Sequence, residues 1–227
     1  MELRDVPTAT AKQVLRELGV DRTFLYGIRA MTFERRIAGK VRTLRYVPLR
    51  EDVKPAKPAV NRRLIDSLEP GDVLVIDAMG SIDGAVLGDM MAARVHARGA
   101  AGVVADGVIR DVDGIREIGL AVWAKATHPD SNARALLPWE ADVAVACGGT
   151  LVQPSDYMVA DTDGAVVVPA QHLEAVLRKA EDMALEDEFS QQLLRGGAPL
   201  DDAYPLPQSK RADFARFKEG RMKESLR

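Results

Sequence analysis

Cysteine is almost missing from this chain of 227 residues, in which Cys147 stands alone. An intramolecular disulfide is therefore excluded, and the composition suits a reducing compartment. The surrounding VAVACGG is small and apolar, so the thiol reads as buried packing sooner than as a nucleophile. Histidine is nearly as scarce. His96, His128 and His172 are scattered, without the paired helical spacing of a histidine metal site. No apolar run approaches the length of a membrane span, and the charged opening MELRD lacks a signal-type apolar segment. Cytoplasmic residence and no membrane partner are the resulting expectations. An excess of positive charge is absent too. A net charge of −3 and an isoelectric point near 5.7 leave no overall field to gather nucleic acid. The one basic stretch, Arg35, Arg36, Lys40, Arg42, Arg45 and Arg50, is interleaved with apolar residues like a solvated strand face. The Gly-rich SIDGAVLG lacks the lysine of a phosphate loop and the full dinucleotide fingerprint, so no nucleotide cofactor is expected.

What remains is an ordinary globular composition, 47% hydrophobic and 29% charged, long enough to bury a substantial core. We expect one α/β domain over residues 1–200, followed by an arm or tail over 201–227. Ala9, Ala11, Val14, Leu15 and Leu18 recur at helical spacing, with Thr8 or Thr10 as a candidate cap and Gly19 as a stop. From Phe33 to Leu49 the pattern alternates, which predicts half-exposed antiparallel strands. Pro55 and Pro58 mark a loop, and 61–68 reads as a short helix. The runs Val73–Ile76 and Gly102–Val104 predict buried parallel strands, joined through Gly80, Gly84 and a helix over 87–98. Residues 121–126 predict a third strand, and 151–160 with 165–168 a hairpin around Thr162, Asp163 and Gly164. A long amphipathic helix follows from Gln171 to about Leu194.

Two places carry chemistry. In the first, Gly88 and Asp89 precede an apolar helix, so the N–H groups of Met90 and Met91 become unpaired first-turn donors of the kind that hold carboxylates. An ordinary N-cap is the plainer account of Asp89. The second is Arg110–Asp111, set at the carboxyl end of a buried strand, where open α/β sheets place ligands. An arginine fork suits a carboxylate, and a neighbouring Asp is a hard oxygen ligand for Mg²⁺ or Mn²⁺. A surface salt-bridge cluster with Asp113, Arg116 and Glu117 accounts for the same residues without any ligand.

Asp89, twenty residues, then Arg110–Asp111, within GDVLVIDAMG and LGDMMAARVHARGAAGVVADGVIRDVDGIREIGLAVWAKA, resembles the 4-hydroxy-4-methyl-2-oxoglutarate aldolase branch of the regulator of ribonuclease activity A-like family. The resemblance is strong from about Gly71 to Thr127, moderate in the N-terminal elements and the hairpin, and weak in the tail. It implies a compact layered swivelling β/β/α sandwich with an added C-terminal helix. It also implies a trimer or hexamer with the site between subunits. By the same resemblance Asp111 binds the divalent metal and Arg110 holds the keto-acid and its enolate oxygen. Gly88, Met90 and Met91 belong to the loop that grips the pyruvyl carboxylate, and Asp89 orients a protonating water. An acid from a neighbouring subunit's C-terminal helix completes the metal's water shell; Glu186 is assigned to it, with Glu181, Asp187 and Glu188 close in register. The implied reaction is cleavage of a 4-hydroxy-2-oxo acid to pyruvate and a keto-acid, with oxaloacetate decarboxylation through the same enolate.

Two other readings compete. A Schiff-base aldolase needs a desolvated lysine, for which Lys125 is the candidate. Some members of the family act instead as non-enzymatic inhibitors of a bacterial endoribonuclease, but they depart from the Arg–Asp pair that this sequence keeps.

Overall fold

The computed structural model describes residues 1–33, 35–54, 59–132 and 135–225. The chain divides into two compact units, Met1–Val176 and Leu177–Arg227, whereas the sequence reading drew its division at residue 200. The expected loop at Pro55 and Pro58 lies outside the described residues.

The first unit is a mixed α/β fold built on one nine-stranded sheet. Its centre is β2 (Ile37–Pro48), β3 (Val73–Ser81), β4 (Gly102–Ile109) and β5 (Val122–Ala124), each parallel to the next. The runs VLVI and GVVA occupy the two middle strands because a parallel strand covered on both faces has no solvent side to make polar. Side chains still alternate. Leu74 and Ile76 join Val103 and Ala105 in one apolar cluster, while Val73 and Val75 join Val104 and Trp123 in another. Against the first cluster lie α2 (Val60–Asp66), α3 (Asp89–Ala97) and α4 (Val112–Ile118), through Leu64, Val95 and Ile115.

The antiparallel strands complete the sheet. Short β1 (Arg29–Ala30) pairs with β5 at one edge, and the hairpin β10 (Tyr157–Asp161) and β11 (Gly164–Val168) lies beyond β2 at the other. The two edges are joined by one segment. Leu25 N–H donates to Ala165 O at 3.0 Å and Val167 N–H to Thr23 O at 2.8 Å, a few residues before β1, so the sheet nearly closes on itself. Strands β6 (Ala126–Thr127) and β7 (Leu136–Ala141) branch from β4 and β2, and β8 (Val145–Cys147) and β9 (Thr150–Val152) form a separate ribbon. Helix α1 (Thr8–Glu17) starts where Asp161 receives the Thr8 N–H at 3.0 Å and its hydroxyl at 2.6 Å. Thr8 is thus the first helical residue, bonded to a distant carboxylate, and not the cap expected of it.

Alternation from Phe33 to Leu49 predicts antiparallel strands, but the structure has one twelve-residue strand there. Half-exposure and antiparallel pairing are separable: β2 mixes buried and part-exposed positions while its pairing is parallel to β3 and antiparallel to β10 and β7. The hairpin begins at Tyr157; residues 150–152 pair with β8 instead.

The second unit holds most of α5 (Leu173–Arg195) and α6 (Arg211–Ser225). Phe189 packs against Phe214 and Phe217, with ring centroids 5.8 and 5.4 Å apart. Helix α6 falls in the stretch that the sequence reading treats as an arm. Among the described residues, no helix is long and apolar enough to cross a membrane.

Candidate active site

The site forms where β4 runs out. Every residue of β4 is buried, and the chain emerges at Arg110, whose backbone N–H donates to Leu87 O at 3.0 Å. Val86 N–H donates to Val108 O at 2.9 Å, so the stretch before α3 is laced along the end of the strand. That lacing carries Gly88 up to the Arg110–Asp111 pair. A Cβ on Gly88 would stand 2.8 Å from Asp111 Oδ2 and 3.0 Å from Arg110 Nε, so only glycine leaves both side chains their place.

Asp111 holds a left-handed backbone, φ 55°, as the first boundary residue of α4. A non-glycine residue there is strained, and such strain concentrates at functional positions. Its carbonyl accepts the Ile115 N–H at 2.9 Å, but its side chain makes no capping bond. The carboxylate is left 3.2 Å from Arg110 Nε, with the two side chains 40% and 41% exposed. This is a half-open ion pair facing solvent, able to exchange partners with an anionic ligand or a cation.

Asp89 opens α3 and rests on the neighbouring helix. A Cβ on Gly114 of α4 would lie 3.3 Å from Asp89 Cβ. Asp89 Oδ1 accepts the Met90 N–H at 2.7 Å, so in the resting site its carboxylate occupies one of the first-turn donors expected to face a ligand. Met90 itself is exposed, while Met91 packs on the core. Gly88, Asp89, Met90, Met91 and Arg110 together wall a cleft of about 90 Å³. On its other side Arg110, with Asp111, borders a larger depression of about 530 Å³, which also involves Met31, Arg116 and His128.

The residues of the first unit expected at the pyruvyl end and at the metal, Gly88, Asp89, Met90, Met91, Arg110 and Asp111, therefore come together. Glu186 lies on α5 in the second unit, where Arg211 Nη1 holds its Oε2 at 2.6 Å. Its neighbours are engaged in the same way, Asp182 with Lys218 and Glu188 with Arg221. Burial beside Glu186 pushes the Asp187 carboxyl up. Among the described residues there is no group of three or more His, Cys, Asp or Glu set to hold a metal. The exposed Asp111 carboxylate nonetheless fits a hard cation such as Mg²⁺, which is commonly held through one or two carboxylates and keeps most of its water.

Lys125, the Schiff-base candidate, sits 3.0 Å from the buried Asp106 and borders neither depression. Cys147 is fully buried, and its thiol is pushed well up by desolvation. The basic stretch is largely neutralised: Arg42 grips Asp142 with two bonds of 2.7 Å, and Arg45 and Arg50 pair with Glu140 and Asp52. The sequence reading missed His128 as a lining residue, because β6, the two-residue strand that sets it beside β4, is too short to show a period.

Comparison with known proteins gives a consistent picture. Residues 5–167 match the model of the RraA-like family, described as Aldolase/RraA. A protein of Halalkalibacterium halodurans named "Putative 4-hydroxy-4-methyl-2-oxoglutarate aldolase" is 32% identical over 135 residues, 60% of this chain and 64% of that one. A protein of Hahella chejuensis with the same name is 38% identical over 112 residues, 49% of this chain and 67% of that one. The alignments thus span about two thirds of these relatives' length. Among solved structures, Streptomyces coelicolor RraAS2, described as an unusual member of the RNase ES inhibitor RraA family, superposes with a TM-score of 0.78 and 40% identity, covering 83% of this chain and 93% of that one. The RNA-processing inhibitor RraA of Thermus thermophilis gives a TM-score of 0.56 at 29% identity, over 74% and 94%. With the matched region taking in most of the chain, this protein belongs to the RraA-like (Aldolase/RraA) family.

Proposed function

We propose that this protein is a divalent-metal-dependent carbon–carbon lyase, cleaving a 4-hydroxy-2-oxo acid of the 4-hydroxy-4-methyl-2-oxoglutarate type to pyruvate and a second keto-acid, with oxaloacetate decarboxylation as a side reaction. The observation that carries the reading is the half-open Arg110–Asp111 pair, closed on one side by Gly88 and the start of α3. The names of the relatives point the same way.

The small cleft receives the pyruvyl end. Its carboxylate displaces the Asp89 side chain from the Met90 N–H and takes the first-turn donors of α3, where the helix dipole favours an anion. Arg110 points its guanidinium at the pyruvyl carbonyl oxygen, the atom on which negative charge develops as the bond breaks. Asp111 would hold Mg²⁺ or Mn²⁺, which when bound acts as a Lewis acid toward the same oxygen. The substrate's 4-hydroxyl proton leaves to a water or carboxylate at the site as the carbon–carbon bond breaks, and Asp89, once displaced, orients a water that returns a proton to the pyruvyl carbon. In this reading the active form is a trimer or a hexamer, and Glu186 reaches the metal's water shell of a neighbouring subunit after exchanging Arg211 for it.

A pyruvate-release screen over hydroxylated keto-diacids and oxaloacetate, with Mg²⁺, Mn²⁺ or chelator, tests the reading. Turnover that chelation removes, that is lost in Asp111→Ala and that falls in Arg110→Ala through weakened substrate binding is the expected result. Full activity in either variant rejects it. The second reading, inhibition of an endoribonuclease, is favoured by the descriptions of the structural neighbours. Binding to such a ribonuclease by a chain that releases no pyruvate would establish it.

A further inference from the structure

Arg110 stands between two spaces of unequal size, about 90 Å³ on the α3 side and about 530 Å³ on the other. The small one is bounded by backbone and by the chemistry just described. The large one is not used by any step so far. Its wall is divided: Met31, Val112 and Pro129 are apolar, whereas Arg116, Thr127 and His128 carry donors. Asp111 lines it as well.

Both outer donors are held in place before any ligand arrives. Arg116 is fastened at two points, to Asp113 Oδ1 at 3.0 Å through Nη1 and to the Met31 carbonyl at 3.1 Å through Nη2. His128 is fixed by its backbone N–H, which donates to Ile109 O at 2.9 Å as β6 runs beside the end of β4. Its ring is fixed as well, because Nδ1 accepts the Asp130 N–H at 3.1 Å. An accepting Nδ1 puts the proton of the neutral imidazole on Nε2, so the ring keeps a donor for a ligand. A guanidinium and an imidazole N–H, both positioned in advance beside an apolar wall, form a receptor for a carboxylate carried on a short branched carbon chain.

We propose that this depression is the specificity subsite for the departing half of the substrate, and that Arg116 and His128 read a second carboxylate there. The far carboxylate of the 4-hydroxy-4-methyl-2-oxoglutarate-type substrate is then held at this end, with the branch at its hydroxylated carbon against Met31 and Val112. The inference rests on the aldolase reading and adds to it which end of the substrate is discriminated, and by which side chains.

The test compares two substrates, 4-hydroxy-4-methyl-2-oxoglutarate and 4-hydroxy-4-methyl-2-oxopentanoate, the second with a methyl group where the first has its far carboxylate. Each is assayed with Mg²⁺ for the wild type, Arg116→Gln and His128→Ala, with thermal melting to confirm that the variants fold. The expected result is a fall of about tenfold or more in the ratio of kcat/KM for diacid over monoacid, the size of effect expected when a charged hydrogen bond is lost. A ratio that stays where it was, whether or not both rates drop, overturns the inference and leaves the aldolase reading standing. A wild-type enzyme that cleaves neither compound overturns both.

Discussion

Gly88 shows how little room the site leaves. Its φ of −128° is ordinary extended backbone, so alanine is conformationally acceptable there. What alanine adds is a methyl group 2.8 Å from Asp111 Oδ2 and 3.0 Å from Arg110 Nε. Both side chains are partly exposed and can swing away, which spares the fold and spoils the geometry. Gly88→Ala is therefore expected to fold with nearly wild-type melting while kcat/KM for pyruvate release falls on the order of a hundredfold, the scale of a displacement of about 1 Å at a reacting group. Melting curves and steady-state assays on the same preparation check it; intact activity would mean that the pair does not need its present position. At this scale the sequence was already informative. Asp89, Arg110 and Asp111 were legible from residue type and spacing, since a fixed gap between a helix start and a strand end survives without knowledge of any contact. The left-handed backbone of Asp111 was not legible, because nothing in the local residue types calls for it.

Helix α4 is the element on which the Asp111 carboxylate depends. It has seven residues, and Ile115 is the one fully buried among them. An isolated helix of that length does not hold itself together, so its position comes from packing. Truncating Ile115 to Ala removes that anchor and is expected to cost about 2–5 kcal/mol of global stability, as for other buried aliphatic truncations. It should also lower activity under conditions where the protein remains folded, because Asp111 is the boundary residue of α4. Urea denaturation gives the first quantity and pyruvate release the second; a loss below about 1 kcal/mol would mean that α4 is not anchored by Ile115. Elements differed in how far they could be read. The apolar runs of β3 and β4 declared buried parallel strands, and the period of α1, α3 and α5 declared helices. The antiparallel expectation for β2 holds for its pairing with β10 and β7 but not with β3, because alternation reports exposure and not the direction of a neighbour. Strands β7 and β8 escaped notice, β9 was taken into the hairpin and β6 into the preceding strand, because two or three residues carry no period and β7 keeps only one residue fully buried; α4 escaped because a seven-residue segment with one buried position looks like a loop.

On the scale of the whole molecule, the buried thiol offers a probe of folding. Cys147 has no exposed surface, and burial together with the nearby Asp106 and Asp77 carboxylates pushes its thiol well above the ordinary range. Both effects withhold the thiolate that reagents attack. The native protein is therefore expected to resist thiol labelling at neutral pH and to take up one equivalent per chain once urea has unfolded it, the labelling transition coinciding with loss of the circular dichroism signal. Rapid labelling of folded protein would show that the segment around β8 and β9 opens on its own.

The sequence by itself determined the fold class and the buried strands, and singled out Asp89, Arg110 and Asp111 as candidate groups, because composition, apolar period and a fixed motif spacing are local properties of the chain. Only the tertiary structure decided that β2 joins parallel and antiparallel neighbours, that the segment from Thr23 to Ala30 ties the two sheet edges together, and that Gly88 is pressed against Arg110 and Asp111. It also decided that His128 and Arg116 border the same depression as Asp111. These are pairings between residues far apart in the chain, set by which strand ends meet when the two apolar clusters close, and no local pattern encodes them.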